Sequence, residues 1–189
     1  IVGEAKDPLI AREQIKKLNP DVLTLDVEMP KMDGITFLKN LMRLRPMPVI
    51  MLSTLTTKGA DTTLDALELG AIDFIAKPSF EELIENKSAF KTKLIRKIKF
   101  AASIDNKNHK LISGSSKVDE NIVHSFVGCQ RANHIVAIGA STGGTEAVKR
   151  IITTLPKNCP PIVVTIHIPE TFSARFAERI NIYCAATVQ

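Results

Sequence analysis

Short apolar runs alternate with helical stripes along the first hundred positions, and three of those runs lead into a polar side chain. Val22-Leu23-Thr24-Leu25 leads to Asp26, Val49-Ile50-Met51-Leu52 to Ser53, and Ile72-Asp73-Phe74-Ile75-Ala76 to Lys77. Between and before them lie helical patterns. Pro8–Leu18 carries apolar residues at Ile10, Ala11, Ile15 and Leu18 and stops at Asn19-Pro20; Asp33-Gly34 opens a helix that runs through Arg45 and breaks at Pro46-Met47-Pro48; Ala60–Leu69 is closed by Gly70. Strands alternating with helices at this spacing imply an α/β fold, a parallel sheet covered by helices on both faces. Such sheets carry their sites at the carboxyl ends of strands, so Asp26, Ser53 and Lys77 are expected to meet on one rim.

A further stripe follows at Phe90, Leu94, Ile95, Ile98 and Ala102, and then the chain turns polar from Ser103 to about Asn133, with Ser113-Gly114-Ser115-Ser116 at its centre. That composition reads as a linker, residues 103–132, between a first domain over 1–102 and a second over 133–189. Regular structure resumes with a strand at His134–Ile138, which runs into Gly139-Ala140-Ser141-Thr142-Gly143-Gly144 and a helix over Thr145–Leu155. A second strand spans Ile162–Ile168, with His167 near its end.

Composition excludes several classes. No stretch approaches the roughly eighteen apolar residues of a membrane span, and Ile1–Asp7 lacks the layout of a signal peptide, so a cytoplasmic protein without direct membrane insertion is expected. Cys129, Cys159 and Cys184 are odd in number and widely spaced, which fits reduced thiols rather than a disulfide framework or zinc site. Much of the net charge of +5 comes from Lys87, Lys91, Lys93, Arg96, Lys97, Lys99, Lys107 and Lys110. A solvated helix face and linker account for that excess, and no nucleic-acid partner is expected. The chain opens without Met on Ile1-Val2-Gly3-Glu4-Ala5, a run read as a strand, so further sequence is expected before it.

Asp26-Val27-Glu28-Met29-Pro30-Lys31-Met32-Asp33-Gly34 resembles the phosphorylation loop of response-regulator receiver domains, whose other two rim positions match Ser53 and Lys77-Pro78. Singly, Asp26 can end a strand, Asp33 can cap a helix and Ser53 can sit in a turn; jointly they fit that family. An exposed carboxylate can attack a phosphoryl donor and form an acyl phosphate when a divalent cation offsets the charge brought together. The resemblance makes Asp26 the phosphoacceptor, Lys77 the cation that pairs with the phosphoryl oxygens, Ser53 the hydroxyl that reports them, and Phe74 the aromatic switch residue. It implies a cis Lys77–Pro78 bond and Mg2+ for phosphorylation. Receivers hold that ion with two adjacent acids ending their first strand. No such pair precedes Asp26, which leaves Asp26 and Glu28 as a partial metal site. In the flavodoxin-like strand order 2-1-3-4-5, the missing strand would separate Ile1-Val2 from Val22–Leu25, so weak metal binding and weak phosphorylation are expected of this chain.

Gly139-Ala140-Ser141-Thr142-Gly143 fits G-x-S-x-G, a serine lifted from a sheet on a sharp strand-to-helix turn. Amides at the following helix N-terminus can stabilise the oxyanion of a tetrahedral intermediate, and equally can cradle a phosphate. Parallel strands would bring His167 beside Ser141, where an imidazole can accept the serine proton and return it to a leaving alcohol. Without other information, a strand-end histidine is more often structural.

Ile135–Glu146, His167-Ile168-Pro169, Phe172 and Phe176-Ala177-Glu178-Arg179-Ile180-Asn181 resemble the catalytic domain of the CheB family, chemotaxis response regulators that join a receiver to a protein-glutamate methylesterase. The resemblance implies a phosphoprotein of a chemotaxis two-component system. It would be phosphorylated on Asp26 by a chemotaxis histidine kinase, and would hydrolyse glutamate methyl esters and deamidate glutamines on methyl-accepting chemotaxis receptors. Ser141 would be the nucleophile and His167 the base and acid, with Thr142, Gly143 and Gly144 shaping the oxyanion turn and no cofactor for the hydrolysis. The family's triad aspartate lies further along than Gln189, so the chain is expected to be truncated at both ends and largely inactive by itself. The rival reading is a response regulator with a non-catalytic output. A DNA-binding output would need a helix-turn-helix after the linker, and a nucleotide-binding one lacks the G-K-[ST] ending of a P-loop and the G-x-G-x-x-G spacing.

Overall fold

The Asp7 side chain accepts from the amides of Leu9 and Ile10, both at 3.0 Å, and starts the first helix, α1 (Pro8–Leu18), which ends at Asn19 in the left-handed region. Pro at the first helical position, where no amide partner is needed, and a left-handed residue after the last turn are ordinary helix punctuation. The computed structural model describes residues 1–54, 56–104 and 134–189, and the chain divides into two compact units, one up to Gly114 and one from Ser115. The linker read over 103–132 lies, from residue 105 on, outside the described residues, as does Cys129.

In the first unit, β1 (Leu23–Asp26), β2 (Val49–Ser53) and β3 (Asp73–Ala76) form a parallel sheet in the order β1-β2-β3. The helices α2 (Gly34–Leu44) and α3 (Thr57–Glu68) connect them, and α4 (Phe80–Ser103) follows. The central strand is an almost continuous apolar run because parallel strands are covered on both faces; Val49, Ile50 and Met51 are wholly buried. Leu38 of α2, Ala60 and Leu64 of α3, and Ile75 of β3 are among the other buried residues of this core.

In the second unit, β4 (Val136–Ala140) and β5 (Ile162–Ile166) pair in parallel, with α5 (Gly144–Thr153) between them and α6 (Glu170–Asn181) after them. Val148 and Ile152 of α5 and Phe172, Phe176 and Ile180 of α6 are its buried large apolar side chains, each four positions from the next on its helix, one face of each.

The fold corrects four expectations. Ile1–Ala5 forms no strand and is exposed: no described strand lies along the free edge of β1, and a short apolar run has no extended state to join without a ladder partner. The Lys77–Pro78 bond is trans, since the described residues contain no cis peptide. The strand expected at His134–Ile138 runs instead from Val136 to Ala140, because Gly139 and Ala140 continue the ladder opposite Thr165 and Ile166. Finally, α4 begins ten residues before the Phe90 stripe, at a capping box in which Ser79 and Glu82 satisfy each other's backbone amides at 3.1 and 2.9 Å.

One close approach fixes the loop after β1. The Gly34 amide donates to the Val27 carbonyl at 2.8 Å, and a Cβ at Gly34 would stand 2.0 Å from the Asp26 carbonyl oxygen and 2.9 Å from Val27 Cα. Backbone cannot yield as a side-chain tip would. Gly34→Ala is therefore expected to cost about 1–3 kcal/mol or more through overpacking, read as a lowered urea midpoint of the first unit.

Candidate functional site

Asp26 and Lys77 meet at the strand-end rim of the first sheet. Register pairs Asp26 with Leu52 and Ser53 with Ala76, so the residues leaving β1, β2 and β3 emerge side by side. Lys77 Nζ donates to Asp26 Oδ2 at 2.6 Å, and the other carboxylate oxygen accepts the Glu28 amide at 3.1 Å. Both side chains are about one-third exposed, at 33% and 34%, so an incoming group can reach the carboxylate. Ser53 stands at the rim but is buried, and its hydroxyl faces α3, 3.2 Å from the Gly59 carbonyl oxygen, which also accepts from Thr63 at 2.6 Å. A hydroxyl turned this way must rotate to reach a group on Asp26.

The loop between Asp26 and Gly34 is held at two further points. Asp33 caps α2, accepting the Thr36 amide at 2.8 Å, and that bond, with the Thr36 hydroxyl behind it, holds its carboxyl below the usual range. Lys31, with φ at +70°, donates to the Asp7 carboxylate at 2.6 Å; this bond, then the Ile10 amide, holds Asp7 low as well. Nothing in the spacing of Lys31 and Asp7 announces that contact. Beside the loop lies a cleft of about 590 Å³ lined by Val27, Glu28, Pro30, Thr54 and Thr56 among others. Glu28 is exposed, and among the described residues no three His, Cys, Asp or Glu side chains gather as a cation would need. The donors present are one carboxylate already paired with an ammonium and an exposed glutamate, so a Mg2+ ion would compete with Lys77 for Asp26 and draw most of its oxygen ligands from water.

Phe74 is buried, three residues before Lys77. Lys97, counted in the sequence with the solvated basic face, is buried too: its ammonium reaches Asp73 of β3. Its spacing from Phe90 and Leu94 puts it on the apolar stripe of α4, which was the signal available to place it inside.

In the second unit, Ala140 pairs with Ile166, and the His167 amide donates to the Ala140 carbonyl at 3.1 Å. Ser141 and His167 therefore leave adjoining strand ends at equivalent positions, on backbones that lie about 4.8 Å apart in a sheet. Both are exposed, and among the described residues no hydrogen bond joins the hydroxyl to the imidazole. Gly143 caps α5 at φ 72°, a conformation glycine adopts without strain, and supplies no side-chain cap. Gly144 donates to the Ser141 carbonyl at 2.7 Å and leaves no room for a side chain, since a Cβ there would stand 2.6 Å from that of Ala140. Thr142 is half-buried beside the serine. An apolar hollow of about 760 Å³ in this unit, lined by Val148, Ile152, Ile166 and Phe176 among others, includes neither Ser141 nor His167.

Comparison with known proteins assigns a class to each unit. Residues 1–88 match the family model of the response regulator receiver domain, and residues 136–189 match that of the CheB methylesterase, so a receiver region is followed by a region of the CheB methylesterase family. It is 46% identical over 193 residues to protein-glutamate methylesterase/protein-glutamine glutaminase 2 of Xanthomonas oryzae pv. oryzae, covering 100% of this chain and 54% of that protein. It is 47% identical over 194 residues to protein-glutamate methylesterase/protein-glutamine glutaminase 1 of Albidiferax ferrireducens, covering 100% and 52%. The response regulator domain of Thermotoga maritima CheB, a crystal structure, is 44% identical over 56% of this chain and 78% of that one, with a TM-score of 0.48. The chain belongs to the CheB family of protein-glutamate methylesterase/glutaminase homologues, with a receiver domain and part of a methylesterase domain. It spans about half the length of the curated relatives it matches.

Proposed function

We propose that the full-length protein is a phosphorylation-controlled methylesterase and glutaminase of chemoreceptors, with Asp26 as phosphoacceptor and Ser141 and His167 as the reacting pair. We take residues 1–102 as the receiver, 103–132 as the linker and 133–189 as the start of the hydrolase. What supports this reading most directly is the bond from the His167 amide to the Ala140 carbonyl, which ties the residues carrying the hydroxyl and the imidazole to one strand pair.

Hydrolysis then proceeds by acyl transfer. Ser141 Oγ attacks the carbonyl carbon of a glutamate methyl ester while His167 takes its proton, and the oxyanion forms near the first turn of α5. The bond to the methoxy group breaks, and His167 returns the proton to leaving methanol. Water, giving its proton to His167, then splits the acyl-serine into glutamate carboxylate and free serine. Deamidation follows the same course with ammonia as the leaving group. At the other site, the Asp26 carboxylate attacks a phosphoryl donor, whose leaving group departs as the acyl phosphate forms. Lys77, now paired with Asp26, is within reach of the new phosphoryl oxygens, and a rotated Ser53 hydroxyl can donate to one of them. Chemoreceptor glutamyl sites are the substrate, a chemotaxis histidine kinase is the donor, and the protein works in the cytoplasm.

Asp26→Asn tests the link between the sites. In the full-length protein, phosphodonor is expected to raise methanol release from methylated receptors in the wild type and to leave the variant at its basal rate. An Asp26→Asn protein that activates fully with phosphodonor defeats the assignment.

A further inference from the structure

The first unit contains a buried ion pair that none of the steps above uses. Lys97 Nζ lies 2.5 Å from Asp73 Oδ2, and both side chains are less than a tenth exposed. The other Asp73 oxygen accepts the amide of Phe74 at 2.7 Å, and the same Lys97 ammonium lies 5.9 Å from the centre of the Phe74 ring, within range of a cation–π contact. One carboxylate thus holds both the backbone that carries the ring and the cation that lies over it.

Stability alone is a poor reason for this arrangement. Taking two charges out of water is costly, and well-packed apolar residues in place of a buried pair often leave a protein equally or more stable. Burial pushes Lys97 below the usual lysine range, a loss that outweighs the attraction of Asp73. What an apolar pair would not supply is direction. Asp73 and Phe74 open β3, Lys77 follows its last residue, and Lys97 stands on α4, so the pair registers that helix against the strand that delivers Lys77 to Asp26.

We propose that Lys97 is a positioning residue for Phe74: anchored by Asp73, its ammonium keeps the ring buried while Asp26 is unmodified and ties the state of the Asp26–Lys77 site to α4. The proposal rests on the reading of Asp26 as phosphoacceptor and Phe74 as its switch residue. A group added to Asp26 takes Lys77 for itself, which shifts the end of β3 and with it the ring that Lys97 covers.

The test labels the chain's eight phenylalanines with fluorine and follows each by NMR, Phe74 being assigned by Phe74→Leu. In the double variant Asp73→Asn/Lys97→Met, the amide oxygen still accepts the Phe74 N–H, and a neutral side chain replaces the ammonium. The Phe74 signal is expected to shift and to broaden with a soluble paramagnetic agent while the other signals hold. Lys97→Arg, which keeps a cation, is expected to preserve the wild-type signal. An unmoved Phe74 signal in the double variant overturns the proposal, and so does a double variant that fails to fold, because the pair would then be a stability element. Labelling of Asp26 by phosphodonor in the full-length protein, read as a hydroxylamine-labile acyl phosphate, separates the two ideas. Without labelling, the phosphoacceptor reading fails and the ring result stands; with labelling and an unmoved ring, the positioning role alone fails.

Discussion

Replacing Lys97 by methionine alone is expected to cost the first unit about 3–5 kcal/mol, because the change removes the ammonium paired with the buried Asp73 carboxylate. The expectation follows from asymmetry rather than from the strength of the pair. A buried carboxylate that loses its ammonium must either remain charged in an apolar setting or take up a proton, and both courses cost free energy at neutral pH. Adding Asp73→Asn removes the charge, and a buried amide donor that lacks a partner costs about 1–3 kcal/mol. The double variant should therefore be more stable than the Lys97→Met single, a sign reversal that independent side chains would not give. Urea unfolding followed by circular dichroism measures all four corners of the cycle. A single variant as stable as the wild type would mean that water or another cation reaches Asp73, and the buried pair would lose its meaning.

Much of this architecture is legible in the residues because it follows from backbone periodicity. The strand-end positions of Asp26, Ser53 and Lys77 follow from apolar runs with fixed ends, and the register that brings Asp26 to Lys77 needs only a parallel sheet in chain order. The cap at Asp33 is legible for the same local reason. What escapes the sequence depends on partners distant in the chain. Lys97 reads as one more solvated lysine until Asp73 is known to stand opposite it, 24 positions earlier. Lys31 reads as a loop lysine until Asp7, also 24 positions away, is seen to bind it. Ile1-Val2 shows the converse. Its composition suits a strand, yet a strand is a relation between two segments, and composition describes only one.

The start of α4 differs in kind, because its signal is local and reads directly. Ser79-Phe80-Glu81-Glu82 is a capping box in plain form, whereas the large apolar residues before Phe90, namely Phe80, Leu83 and Ile84, are exposed rather than packed. A helix whose first turns are exposed, as these are among the described residues, is set by its cap rather than by its packing. The non-helical backbone of Asn86 falls between those two regimes, where the capped, exposed turns give way to the packed ones.

Ser141→Ala in the full-length protein is expected to lower methanol release from methylated receptors by about 10⁴-fold or more, since removing a serine nucleophile leaves only binding and the oxyanion turn. His167→Gln is expected to fall to a similar level, and the two changes together to do little further harm. The reason lies in the strand ends: a hydroxyl at Ser141 is a weak nucleophile until a base beside it takes the proton, so each group is idle without the other. Independent contributions would multiply in the double variant; a shared step would not. A fluorophosphonate probe should label the wild type at Ser141 and spare Ser141→Ala, while phosphodonor labelling of Asp26 stays the same in both. Activity that survives Ser141→Ala, or single losses that multiply in the double variant, would separate Ser141 from His167 and leave the esterase without its nucleophile.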